Sequence, residues 1–159
     1  IFESDKDDYD VMNRKPRSID AKLFDLPTIL KCFFQGGLTL SVTIAIYIFI
    51  RNDHSTETAR ALAFLTLVVC NLGMILSNRS LTRSSIQMIK EKNEAFKWVM
   101  SGTTIMLILV MVVPFLKSMF RFGSVSLADL LLALSGGIFA VILMDLLKTI
   151  PLLKKLRIH

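Results

Sequence analysis

Several uncharged polar side chains lie inside long apolar runs, and three of them are considered as ligands. Gln35 and Thr39 are four positions apart, so on a helix they share one face and could offer oxygens to a cation or to a neighbouring helix. Asn71 lies in the middle of another run, where its carboxamide needs a partner. Gln35 and Asn71 are therefore the candidates for a metal contact. Hydrogen bonding between helices, without transport, is the favoured alternative for each of them.

Catalytic chemistry is not indicated by the rest of the sequence. The sequence has no P-loop, no G-x-S-x-G motif and no H-E-x-x-H motif. His54 and His159 have no metal-binding spacing with Cys32 and Cys70. None of the apolar runs has a carboxylate at its centre, which an ion or proton relay usually needs. We therefore expect no catalytic residue, no cofactor-binding residue and no cofactor in this chain, and the chain alone is not expected to be an enzyme.

The composition is that of a membrane protein. Of 159 residues, 53% are hydrophobic and only 20% are charged, whereas a typical soluble domain is about 25% charged. The mean hydropathy is +0.57. These values argue against a soluble single-domain enzyme and predict an integral, multi-pass protein of the cell membrane or an internal membrane. Because residue 1 is Ile and an acidic stretch follows it, unlike a signal peptide, we expect a fragment or a processed product.

The apolar runs predict an all-α fold with four transmembrane helices in an antiparallel bundle. Each run approaches the roughly 20 residues that cross a bilayer as a helix, and lipid cannot satisfy an open backbone. The expected spans are about 29–50, 60–78, 97–116 and 126–147, within a domain of residues 29–150. Residues 1–28 would lead into the first helix from the cytoplasmic side, and residues 151–159 would form a basic cytoplasmic tail. Pro114 is expected to kink or end the third helix.

Basic residues concentrate on one side of the predicted membrane. They cluster before the first span, between the second and third spans, and in the tail, so both termini are predicted to be cytoplasmic. The net charge of +6 lies at helix ends, where it suits contact with the lipid bilayer, and no nucleic-acid partner is expected. The small faces at Gly36-Gly37 and Gly136-Gly137 predict a tendency of the chain to self-associate.

Short motifs follow one another along the chain in a characteristic order. Residues 12–17 read MNRKPR before the first span, which contains Gly36-Gly37, and residues 59–64 read ARALAF at the start of the second span. Asn78-Arg79-Ser80 closes the second span, Asn93 precedes the third, Pro114 and Phe120 lie near its end, and residues 141–145 (VILMD) with Lys148 close the fourth.

In this order and spacing, roughly residues 11–150 resemble the C-terminal membrane domain of P-type cation-transporting ATPases, in particular the calcium-pump branch. That domain holds the last four of ten membrane helices. The residues to which the resemblance gives structural or topological roles are Arg14, Pro16, Arg17, Arg60, Asn78, Arg79, Asn93, Pro114, Asp145 and Lys148.

The resemblance implies a part of a pump that uses ATP to move a cation. It implies that the ion ligands lie mostly on earlier helices, and that ATP and Mg²⁺ are needed only by the full-length parent. Its partners would be the remaining membrane helices and the cytoplasmic domains of that parent. Reticulum-type calcium pumps also place one carboxylate ligand near the positions of Val68 and Val69, which are apolar here. This departure leaves the ion open among calcium, magnesium, sodium and the proton.

Two functional hypotheses follow. The first is a non-catalytic module of an ATP-driven cation pump, with calcium as the leading cation, that supports the transport helices. The alternative is a freestanding four-helix membrane accessory or assembly protein without catalytic activity. A small independent channel or carrier is disfavoured by the absence of a carboxylate at the centre of any span. A coding sequence that continues upstream of Ile1 into a D-K-T-G-T-bearing region would favour the first hypothesis.

Overall fold

The computed structural model describes residues 26–79 and 93–149, all of whose regular elements are helices. These helices are α1 (Leu26–Asp53), α2 (Thr56–Asn78), α3 (Glu94–Val112), α4 (Pro114–Met119) and α5 (Leu127–Thr149). Four of them, α1, α2, α3 and α5, are long and apolar enough to cross a membrane. The four predicted helices are confirmed, although their ends differ from the predicted ends. Arg14, Pro16 and Arg17, to which the resemblance gives structural roles, lie outside the described residues.

Local capping residues explain where α2, α3 and α5 begin. Ser55 is the N-cap of α2 and its hydroxyl accepts a hydrogen bond from the Thr58 backbone N–H at 3.2 Å. Asn93 caps α3, with its Oδ1 2.8 Å from the Phe96 nitrogen. Before α5, the Ser126 hydroxyl accepts from the Asp129 N–H at 3.2 Å, while the Asp129 carboxylate accepts from the Ser126 hydroxyl at 2.7 Å. Side-chain oxygens thus satisfy N–H groups that have no partner within the helix.

Pro114 ends α3, as predicted. Val113 is extended (φ −71°, ψ 119°), and Pro114 then occupies the first turn of the short helix α4. A residue before proline is restricted to such extended backbone, and the proline ring suits the start of a helix. The third span therefore ends at Val112, four residues before the predicted end at 116, because the helix is interrupted at this point.

Helix α2 is the centre of the described structure. It packs along α1 on one side and along α5 on another, and α1 also contacts α5. The Gln35–Asn78 hydrogen bonds at one end, and a core cluster that contains both Ile50 and Ala59 at the other, show that α1 and α2 run in opposite directions. Helix α3 meets α2 near both of its ends, in a core cluster with Ala61 and Val110 and in a second cluster of Leu76 and Phe96. The consecutive pairs α1–α2 and α2–α3 therefore run antiparallel.

Glycines provide the close contacts among α1, α2 and α5. A Cβ on Gly73 would overlap Val141, one on Gly137 would overlap Val69, and one on Gly136 would lie 3.0 Å from Ile46. Gly136-Gly137 therefore packs against α1 and α2 within the chain. The tendency to self-associate stays a prediction. Gly36, Gly37 and Gly102 have no atom within 4 Å of the position of a Cβ. Small residues that let helices approach closely are typical of membrane proteins.

Candidate functional site: a polar layer across three helices

Gln35 of α1 and Asn78 of α2 form a reciprocal pair of hydrogen bonds. Gln35 Nε2 donates to Asn78 Oδ1 at 3.3 Å, and Asn78 Nδ2 donates to Gln35 Oε1 at the same distance. Gln35 is only 4% exposed. Asn78 is half-buried, and each carboxamide supplies a hydrogen-bond partner to the other. Of the two alternatives left open for Gln35, the structure favours hydrogen bonding between helices over a metal contact.

A second polar contact joins α2 to α5 beside this pair. The hydroxyl of Ser77, which is fully buried, donates to Asp145 Oδ1 at 3.0 Å. Ser77 is adjacent to Asn78 in the chain, so the two contacts lie at one level of the bundle. We call Gln35, Asn78, Ser77 and Asp145 the polar layer. Asp145 thus has a partner on another helix. The side chain of Lys148, which the resemblance grouped with Asp145, lies outside the described residues.

Thr39 lies one helical turn from the polar layer, on the same face of α1 as Gln35. It is 4% exposed, and its Oγ1 has no hydrogen-bond partner within the described part of the chain. The Oγ atoms of Ser41, Thr43 and Thr66 each donate to the backbone carbonyl four residues earlier, at 2.8, 2.8 and 2.9 Å. Thr39 differs from these three residues, because its hydroxyl makes no such bond.

Asn71 is not part of this site. It is exposed on α2, seven residues or about 10 Å of helix before Asn78, and no described residue hydrogen-bonds its side chain. The structure therefore does not bring Gln35 and Asn71 together. Nor do the described residues contain any group of three or more His, Cys, Asp or Glu side chains able to hold a metal ion.

Arg79 and Asn93 join the end of α2 to the start of α3. The guanidinium carbon of Arg79 lies 4.8 Å from the centre of the Phe96 ring, and Arg79 is 9% exposed. A guanidinium over an aromatic ring is attracted by the ring's negative face. Asn93, which is 2% exposed, caps the same first turn of α3. Arg60, by contrast, is exposed at the other end of α2.

The opposite end of the bundle is fastened by contacts that the sequence analysis missed. Thr58 Oγ1 donates to the Ser124 carbonyl at 2.9 Å, and His54 Nε2 lies 3.4 Å from Asp129 Oδ1. The sequence does indicate the local bonds between Ser126 and Asp129, because these two residues have the spacing of a capping box. The pairing of Asp129 with His54 has no such signal, since 75 residues separate them in sequence.

Comparison with known proteins places this arrangement in a family. The sequence model described as "Cation transporting ATPase, C-terminus" matches residues 1–150. The chain belongs to this family. It is 30% identical over 145 residues to the calcium-transporting ATPase type 2C member 2 of Rattus norvegicus, covering 89% of the chain and 15% of the relative. It is 28% identical over 125 residues to calcium-transporting ATPase 1 of Yarrowia lipolytica, covering 78% of the chain and 14% of the relative.

Membership of the cation-transporting ATPase family confirms the resemblance that was seen in the sequence motifs. The structural roles given to individual residues on that resemblance stay predictions. The four apolar helices are a P-type ATPase membrane domain, and the protein is an integral, multi-pass membrane protein. The chain spans about 15% of the length of the calcium-transporting ATPases that it matches.

Val69 lies near the position where the resemblance had led us to look for a carboxylate ligand. In this member of the cation-transporting ATPase family, Val69 packs against Gly137 of α5 and borders the core cluster around Leu62 and Ala133. Its surroundings are therefore apolar side chains and close backbone. A carboxylate at this position would be partly buried among apolar side chains, which is unfavourable.

Proposed function

We propose that this chain supports the transport helices of an ATP-driven pump, with calcium as the transported cation. The observation that carries this proposal is the family match over residues 1–150, together with two relatives whose names describe calcium transport. ATP and Mg²⁺ would be bound by parts of the parent protein outside this chain. Both termini would face the cytoplasm, as the distribution of basic residues predicts.

The support would come from the packed unit of α1, α2 and α5. Glycine contacts hold its centre, the polar layer fastens one end, and the Thr58–Ser124 and His54–Asp129 contacts fasten the other. A unit fixed at both ends can provide a rigid surface against which the transport helices move. This role needs no ion ligand within the chain.

We expect this packed unit to contact the other membrane helices of the pump through its exposed face around Asn71. A carboxamide facing hydrocarbon without a partner is costly, so a mid-span Asn normally faces protein. Leu67, one turn away, is 38% exposed on the same helix and gives this face an apolar border. We therefore propose that another membrane helix of the parent hydrogen-bonds Asn71.

The first test is the size and activity of the native gene product in its source membrane. An antibody to the segment between α2 and α3 should detect a protein several times larger than the 17.9 kDa of this chain. Vesicles containing it should take up calcium when ATP is added. A product of only about 18 kDa would refute the pump assignment and favour a freestanding accessory protein. ATP-driven uptake of magnesium, sodium or protons instead of calcium would refute calcium as the transported cation. The assignment to an ATP-driven pump would remain.

The supporting role is tested by Asn71→Leu, with Ser101→Leu on α3 as the matched control, since both residues are exposed polar side chains within a span. Asn71→Leu should lower ATP-driven uptake and the melting temperature of the purified pump, because the partner of Asn71 loses its hydrogen bond. Ser101→Leu should change neither. Equal behaviour of the two variants would show that Asn71 faces lipid.

A further inference from the structure

The buried hydroxyl of Thr39 is the polar group that the contacts described above leave unexplained. A hydroxyl buried without a hydrogen bond destabilises the protein, because its bond to water is lost and not replaced. Thr39 could avoid this loss by donating to the carbonyl of Gln35, as Thr43 donates to the carbonyl of Thr39. Because it does not do so, its Oγ1 is available to a group from outside its own helix.

We propose that Thr39 and the polar layer together bind one buried water molecule. Thr39 follows Gln35 by one turn on the same helix face, a rise of about 6 Å. A water bonded to Thr39 Oγ1 at about 2.8 Å would lie on this face of α1. In this proposal the same water also hydrogen-bonds the Gln35–Asn78 pair. Each carboxamide still has one N–H and one oxygen lone pair beyond the bonds that it makes within the pair.

Burial decides which ligand fits. Thr39 and Gln35 are each 4% exposed, so neither a lipid headgroup nor a side chain of another helix has access to this position. A water molecule is small enough, and buried waters typically bridge polar groups that otherwise have no partner. A cation would need a shell of about six oxygens. Here Gln35 Oε1 and Asn78 Oδ1 each accept an N–H of the other carboxamide, and Asp145 Oδ1 accepts from Ser77, so three of these oxygens already accept a hydrogen bond.

The bound water extends the polar layer by one turn along α1. It gives α1 a second polar attachment beside the direct Gln35–Asn78 bonds, at the end where α1, α2 and α5 meet. The attachment is specific for the Thr39 hydroxyl. It is lost when the hydroxyl is replaced by a methyl group of the same size, although the apolar contacts around it are kept.

The test combines electron cryomicroscopy of the native protein in lipid nanodiscs with melting curves of three forms. Density for a water should lie about 2.8 Å from Thr39 Oγ1, on the side of Gln35. Thr39→Val should remove this density and lower the melting temperature by about 2–4 °C. The matched control is Thr43→Val, which removes a hydroxyl bonded only within α1 and should leave the melting temperature unchanged.

Two results would overturn the proposal. The first is a wild-type map that resolves other ordered waters but has none at Thr39. The second is an unchanged or raised melting temperature for Thr39→Val, because removing a dry, unpartnered hydroxyl is neutral or stabilising. The wild-type map remains decisive even if the valine variant does not fold.

Discussion

Gly73 of α2 lies directly against Val141 of α5, so closely that a Cβ on the glycine would overlap the valine side chain. This contact is in the middle of the α2–α5 interface, between Val69–Gly137 on one side and Ser77–Asp145 on the other. All three pairs have the same sequence offset, so α2 and α5 run parallel with a fixed register. The absent side chain of Gly73 sets the separation of the two helices there.

Gly73→Ala is expected to destabilise the protein by about 1–3 kcal/mol, the usual effect of overpacking a buried contact. Gly102→Ala is the matched control, since nothing lies within 4 Å of its Cβ position. That control should be neutral or slightly stabilising, because alanine favours helix over glycine. Thermal unfolding of the purified protein measures both. Adding Val141→Ala should restore much of the loss, and its failure to do so would argue against this contact.

The Gln35–Asn78 pair should have a measurable coupling energy. A double-mutant cycle with Gln35→Leu and Asn78→Leu is expected to give about 0.6 kcal/mol, typical of hydrogen bonds between membrane helices. Ser41→Ala is the control partner for Asn78→Leu, because Ser41 is exposed and bonds only to Gly37 of its own helix. Its coupling to Asn78 should be zero. A zero coupling for Gln35 as well would mean that the two carboxamides do not interact.

Asn93→Ala should loosen the first turn of α3. The variant loses the 2.8 Å hydrogen bond to the Phe96 nitrogen, and loss of such a cap typically costs about 1 kcal/mol. Hydrogen exchange at the Phe96 amide should become faster, whereas Asn93→Asp, which keeps the accepting oxygen, should exchange as slowly as the wild type. Equal exchange in the alanine and aspartate variants would contradict the capping role.

Gly123→Ala should disrupt the end of the bundle opposite the polar layer. Its Cβ would lie 2.7 Å from the backbone nitrogen of Thr58, which cannot rotate away. The Thr58 hydrogen bond to the Ser124 carbonyl would be displaced, and we expect a loss of about 1–3 kcal/mol in thermal unfolding. Ser124→Ala is the control, because only the backbone oxygen of Ser124 takes part. A stable Gly123→Ala protein would show that this end can adjust.

Much of the fold follows from local sequence. Uncharged apolar runs of spanning length predict helices wherever the chain crosses lipid, since only a helix satisfies its own backbone there. Pro114 ends α3 because its ring restricts Val113 to extended backbone, and Asn93 caps α3 because its side-chain oxygen reaches the first turn. These effects involve neighbours within a few residues, so they can be predicted from the sequence. The family could be recognised in the same way, from short motifs in order.

The sequence by itself did not determine which polar residue pairs with another helix. Asn71 and Asn78 are seven residues apart, nearly two full turns, so helical periodicity places them on almost the same face of α2. Only Asn78 meets Gln35, whereas Asn71 is exposed. The two glycine pairs behave likewise, since Gly136-Gly137 is packed and Gly36-Gly37 is open. When a helix is apolar on all sides, its sequence does not show which face is buried. The tertiary structure decides which residues are packed, because packing depends on the helix that lies opposite each residue.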